Sequence, residues 1–264
     1  MKFRPHYRRI WGLSYPLIVV GIGETVVEIT DTIFLAHYGL IELAAIGLAG
    51  AIYALAMFAQ LGLVDGIQVV IGRRAGQERD TEIGRVFNQG LYLLTLAALA
   101  LVLVIKFPLP ELTRAVFASA EVQGAVDAYL QITAFGLLFN GINLAYSVFY
   151  LGIGRTRVLI GAIMLLAITN IVLDYLLIFG NLGLPELGIE GAAIASLTAE
   201  IATFVYLTFD ILRHHYVDRY GLLRFGRWDN ALSKLLLRIS TPISLEALVE
   251  TSRWLLFFII CLLY

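Results

Sequence analysis

The chain has 264 residues, of which 59% are hydrophobic and 15% charged, with a net charge of −1 and a mean hydropathy of +0.84. A soluble domain carries about a quarter charged residues, so this composition excludes an ordinary soluble domain. Cys261 is the one cysteine and sits in an apolar run. That excludes a disulfide framework or a cysteine metal site.

Taken in chain order, residues 10–37, 43–70, 86–107, 124–150, 158–180, 188–212 and 239–264 form apolar stretches long enough to cross a bilayer as helices. The prediction is an all-α integral membrane protein. The first stretch exceeds a signal-peptide core and has no small-residue cleavage site after it, so it is expected to stay as a helix. It is interrupted by Pro16 and by three acids, Glu24, Glu28 and Asp31. Steps of four and three residues put these acids on one helical face. An ionised carboxylate in hydrocarbon is costly unless it faces a cavity or a partner, so the acids mark an ion or substrate pathway.

The connectors follow the same order. Residues 73–84, RRAGQERDTEIG, read as a charged connector between the second and third spans. Residues 108–123 read as a short amphipathic surface segment, with Pro108 and Pro110 limiting how early it turns helical. Residues 181–187, NLGLPEL, are a turn-rich loop. Residues 214–237 form a basic linker whose charges fit topology and lipid headgroups, with no nucleic-acid partner expected.

Lys and Arg concentrate before the first span and in the connectors after the second, fourth and sixth; Lys106 and Arg114 are the two on the other side. By the positive-inside rule the N-terminus is cytoplasmic. This orientation disfavours a seven-helix receptor, and the seventh span offers no lysine for a Schiff base. The expected localisation is the plasma (inner) membrane of a bacterium.

A weak internal repeat is also visible. Ser14-Tyr15-Pro16-Leu17 resembles Ser240-Thr241-Pro242-Ile243, and Glu-Thr follows eight residues beyond each proline, as Glu24-Thr25 and Glu250-Thr251. This reads as the start of a second copy of a six-helix unit, a common way to build a transporter. The expected division is a six-helix transmembrane lobe over 1–213, a cytoplasmic linker over 214–238, and over 239–264 the first helix of a second lobe that is mostly absent, in an apparently truncated chain.

Depth links distant acids. Asp31 and Asp174 each lie about six residues before their spans exit on the same side, and Tyr129 lies about six residues into the span that enters there. At about 1.5 Å per residue all three sit roughly 9 Å deep. Asn170 is one turn deeper than Asp174 on the same face. Carboxylate and amide oxygens suit Na+, and paired buried carboxyls suit proton exchange. The competing reading is a satisfied hydrogen-bond cluster that only joins the helices.

Other polar groups in the spans are Glu200 in the sixth, Glu246, Glu250 and Arg253 in the seventh, Asp65 in the second, and Asn140 and Asn143 in the fourth. Glu250 and Arg253 are spaced to pair with each other; the asparagines suit ligand and interhelical roles equally. Gly47, Gly50, Gly62 and Gly66 suit close helix approach. No enzyme constellation appears: His6, His37, His214 and His215 all lie at the membrane ends, and no phosphate loop is present.

These segments resemble a known group, the multidrug and toxic compound extrusion (MATE) transporters. The similarity lies in TDTIFLAHYGLIELAAIGLA, IGRRAGQERDTEIGR, YLGIGRTR, NIVLDYLLIFG and LGIEGAAIAS, which occur in the family's order across nearly the whole chain. The resemblance implies the N-terminal six-helix bundle of a twelve-helix transporter, plus a seventh helix. It implies cation-coupled antiport, by H+ or Na+, of small organic and often cationic compounds through alternating access. By matching motif, Asp31, Asn170 and Asp174 are the family's N-lobe cation residues, Tyr129 falls where some members place a tyrosine, and Glu250 matches a glutamate used in another branch. Glu24, Glu28, Glu200 and Glu250 are then substrate or cavity candidates. No cofactor is expected, and no metal beyond Na+ at Asp31, Asp174 and Asn170. Two alternatives are a flippase for a lipid-linked precursor, which would prefer a basic cavity, and a half that does not transport.

Overall fold

The computed structural model describes residues 4–116, 119–224, 226 and 228–263; the side chains of 4–6, 8–9, 115–116, 247–248 and 250–263 lie outside that description. Among the described residues the chain is helical throughout, with α1 (Arg4–Tyr38), α2 (Leu40–Gly76), α3 (Asp80–Lys106), α4 (Pro108–Val116), α5 (Ala120–Gly152), α6 (Arg157–Ile178), a 3-10 turn (Asn181–Gly183), α7 (Ile189–Arg213), α8 (Tyr216–Tyr220) and α9 (Asn230–Leu263). Among the described residues, five helices are long and apolar enough to cross a membrane: α2, α3, α5, α6 and α7. The 35-residue α1 runs unbroken through Pro16. A proline forfeits one ladder bond, and a helix inside a bundle tolerates this when neighbours hold it.

The helices close on themselves. α1 packs on α2, α2 on α5, α5 on α7, α7 on α6, and α6 returns to α1; α3 lies outside against α2 and α5, and α9 runs along α2. Two apolar layers fill this ring. One is built on small and medium side chains, among them Ala45, Ala49, Val126, Ala134, Ala192 and Ala193. The other is aromatic and holds Phe87, Tyr146, Phe149, Tyr150, Tyr216 and Tyr220. Phe149 meets Tyr150, Tyr216 and Tyr220 edge-on at centroid distances of 5.5, 5.5 and 5.2 Å, the geometry that a ring quadrupole favours.

The connectors depart from expectation in three places. Residues 73–84 are mostly helix: α2 runs to Gly76 and α3 begins at Asp80. Arg74 Nε reaches Glu82 at 2.9 Å across the turn, and Asp80 and Glu82 fall in the first turn of α3, where the helix dipole favours acids. The segment after Lys106 is helical from Pro108 itself. Proline is tolerated in a first turn, where its missing N–H has no partner to lose. Residues 214–237 are not a free linker. They hold α8 and the first turns of α9, and Tyr216, Tyr220 and Leu222 are buried. Asn88 on α3 donates to Gly221 O (2.8 Å) and Arg224 O (3.2 Å) and accepts from Leu223 N (2.8 Å), tying the segment down. Burial pushes the Tyr216 and Tyr220 phenols above their ordinary value, so both stay neutral at physiological pH.

Candidate cation-binding site

The acidic face of α1 divides in the structure. Asp31 is buried, 7% exposed, whereas Glu24 and Glu28 are exposed. The difference comes from the neighbour: α1 packs on α6, which carries Asn170 and Asp174, exposed by only 1% and 0%.

The three side chains form one hydrogen-bonded group. The two carboxyls lie within hydrogen-bonding reach of each other. The Asn170 amide bridges both. In the orientation that satisfies both ends of the amide, its nitrogen donates to Asp31 Oδ1 at 2.9 Å and Asp174 Oδ2 at 3.1 Å, and its oxygen accepts from Ser196 Oγ at 3.2 Å. That orientation is assigned from the bonds it makes. Tyr129, buried on α5, hydrogen-bonds Ser196 and lies within electrostatic reach of both acids. Four helices thus contribute: α1, α5, α6 and α7.

The site is short of positive charge. Among the described residues neither Asp31 nor Asp174 has an ion-pair partner, Glu28 adds a further negative charge to the field at Asp31, and Asp174 Oδ1 has no hydrogen-bond partner. Buried acids without a cationic side chain need a proton or a metal cation. Two carboxyls, an amide and two hydroxyls are hard oxygen ligands, so the set can exchange protons or hold an alkali cation. Among the described residues no group of three His, Cys, Asp or Glu side chains is placed to hold a metal. A bound metal would therefore depend on the amide and hydroxyl oxygens as well.

Sequence reasoning brought Asp31, Asp174, Asn170 and Tyr129 to one place, and the structure joins them. It missed Ser196, the residue that links Tyr129 to Asn170. The segment LGIEGAAIAS ends on it, and it lies one turn before Glu200. Glu200 does not join this group: its carboxylate accepts from Asn140 at 3.0 Å and from Asn143 at 2.8 Å. Asp65 is exposed and lines a separate cavity of 530 Å³ with Ser14, Arg73 and Thr156. Glu246 is exposed, while the Glu250 and Arg253 side chains lie outside the described residues, as does Cys261.

Comparison with known proteins gives one answer. The MatE family model matches residues 16–176. The chain is 26% identical to a probable multidrug resistance protein NorM of Aromatoleum aromaticum, over 94% of this chain and 54% of that protein. It is 28% identical to the NorM of Thermotoga maritima, over 91% of this chain and 52% of that protein. Among solved structures, an outward-facing multidrug resistance MATE transporter of the MOP superfamily superposes with a TM-score of 0.82 at 25% identity, covering 91% of this chain and 52% of that one. An inward-facing one superposes at 0.77, also at 25% identity, covering 92% and 54%. The chain thus spans about half the length of the curated relatives it matches. With the family model matching more than half of the chain and a helical bundle of the same shape, this integral membrane protein belongs to the MATE family.

Proposed function

We propose that the protein is the N-terminal lobe of a cation-coupled antiporter that exports small organic compounds across the plasma membrane by alternating access. The carrying observation is the pair of buried carboxyls Asp31 and Asp174, bridged by the Asn170 amide and without a cationic partner among the described residues. Binding H+ or Na+ there removes a buried charge imbalance, so the cation favours whichever arrangement of helices closes around it. Substrate is released because it prefers the other arrangement, and coupling is the difference between the two affinities. No covalent step is needed.

In this reading the N-terminus is cytoplasmic, from the distribution of Lys and Arg. A second bundle completes the cavity, a reading supported by the half-length coverage of the relatives. The exposed Glu24 and Glu28 then face that cavity and attract cationic substrates. The test is efflux of a cationic dye from everted vesicles containing the intact protein. Asp31→Asn with Asp174→Asn is expected to bring ion-driven efflux down to the level of vesicles lacking the protein. Normal ion-driven efflux by that double variant would overturn the proposal.

A further inference from the structure

Glu200 sits near the middle of α7, twelve residues into a helix of 25. Its two carboxylate oxygens are held by different side chains of α5, Oε1 by Asn140 Nδ2 at 3.0 Å and Oε2 by Asn143 Nδ2 at 2.8 Å; Asn143 Nδ2 also lies 3.0 Å from the Glu200 carbonyl. Both asparagines are more than nine-tenths buried, at 8% and 6% exposure, and neither Oδ1 has a partner. Among the described residues no Lys or Arg pairs with Glu200. The cluster therefore holds a carboxylate and two orphaned amide oxygens, all acceptors, at the depth where transporters place their ions. Leaving buried acceptors unmatched is costly.

A proton on Glu200 meets this shortage only in part, because one O–H reaches one amide oxygen. A cation can draw on both amide oxygens and the carboxylate together once the amides turn. Turning both amides end for end brings their oxygens to the places now held by the nitrogens, beside the two carboxylate oxygens. Oxygens from three side chains would then stand together, the kind of surroundings that an alkali cation takes, with the amide nitrogens at the places the orphaned oxygens hold now. The group also connects to the first site. Ser196 and Glu200 are one turn apart on α7, and the Tyr53 phenol lies within electrostatic reach of both Glu200 and Tyr129. Glu24 on α1 acts on Glu200 in the same way.

We propose that Glu200, Asn140 and Asn143 form a second Na+ site in this lobe, deeper than Asp31 and Asp174. It rests on the cation-coupled reading above and extends it: two cations would bind along the inner side of α7, one turn apart.

The experiment measures radioactive Na+ bound to the detergent-purified intact protein, with folding checked by elution volume. Glu200→Gln is expected to bind one Na+ fewer per protein than the wild type, Asp31→Asn with Asp174→Asn also one fewer, and the triple variant two fewer. Asn140→Ala, which keeps the acid and removes one oxygen, is expected to weaken the deeper Na+ about tenfold. Unchanged stoichiometry and affinity in both Glu200→Gln and Asn140→Ala, with a loss in the Asp31/Asp174 variant, would overturn the second site and leave the antiporter reading standing. Unchanged binding in all variants would overturn Na+ at either site.

Discussion

A buried serine has little meaning on its own, yet Ser196 joins the two halves of the candidate site. Its hydroxyl faces Asn170 at 3.2 Å and hydrogen-bonds Tyr129. Removing it leaves the Asn170 oxygen without a donor and frees the amide to turn away from the acids. Ser196→Ala is expected to weaken cation activation of efflux about fivefold to tenfold, the equivalent of about 1–1.4 kcal/mol for one buried hydrogen bond. Maximal efflux at saturating cation would change little. Rates measured against Na+ concentration and against pH check this, and an unaltered half-maximal concentration for both ions would show Ser196 to be filler. The acids were readable in the sequence because a carboxylate in an apolar run has no cheap explanation. Ser196 was not, because hydroxyls in membrane helices commonly bond their own carbonyls. Thr198 and Thr203 on the same helix do so, to Ile194 O at 2.7 Å and Ala199 O at 2.9 Å. Only the neighbouring helices show that Ser196 turns outward.

Among the elements, α7 carries the lobe's polar contacts because its buried face is small. Gly191, Ala192, Ala193, Ala195 and Ala199 are all buried, and small residues let membrane helices approach closely enough for side chains such as Ser196 and Glu200 to reach across. Gly191 is a tight point. A Cβ there would lie 2.7 Å from the backbone carbon and oxygen of Leu177, at the end of α6. Backbone cannot swing aside, so the whole α6–α7 turn must shift. Gly191→Ala is expected to lower stability by about 1–3 kcal/mol and to weaken cation binding, since α6 carries Asn170 and Asp174. Gly47→Ala on α2, where a Cβ meets nothing within 4 Å, is the control and should be neutral or slightly stabilising through helix propensity. Thermal unfolding of both variants in detergent checks the pair; equal midpoints would mean that the turn yields freely. The spans themselves were legible from apolar length. Their ends were not, because α2 and α3 continue past the hydrocarbon on side-chain pairs such as Arg74–Glu82. Hydropathy does not register these contacts.

At the scale of the molecule, the segment after α7 is part of the lobe and not only a tether leading away from it. α9 lies along α2, where Ser240 and Ser244 sit over Gly66 and Gly62, the close approach expected of those two glycines; Gly47 and Gly50, where a Cβ would meet nothing within 4 Å, do not share it. The repeat between Pro16 and Pro242 could be read in the sequence, but this docking could not, since it depends on buried rings and on one amide. Tyr216 and Tyr220 enter the aromatic layer, and Asn88 of α3 holds three backbone groups of residues 221–224. Under the alternating-access mechanism proposed above, such a clamp would pass movement of α3 directly to α9 instead of losing it in a slack linker. Asn88→Ala removes all three bonds while leaving the rings in place. At about 1 kcal/mol each, local opening should become cheaper by about 2–3 kcal/mol, a rise of roughly thirtyfold to a hundredfold in the open population. Protease cleavage follows that population when opening and closing are fast. Limited trypsin digestion of the purified protein should then cut after Arg219 or Arg224 at least about tenfold faster in the variant than in the wild type. Unchanged cleavage would mean that the aromatic layer alone holds the segment, and that the coupling between α3 and α9 runs through Tyr216 and Tyr220.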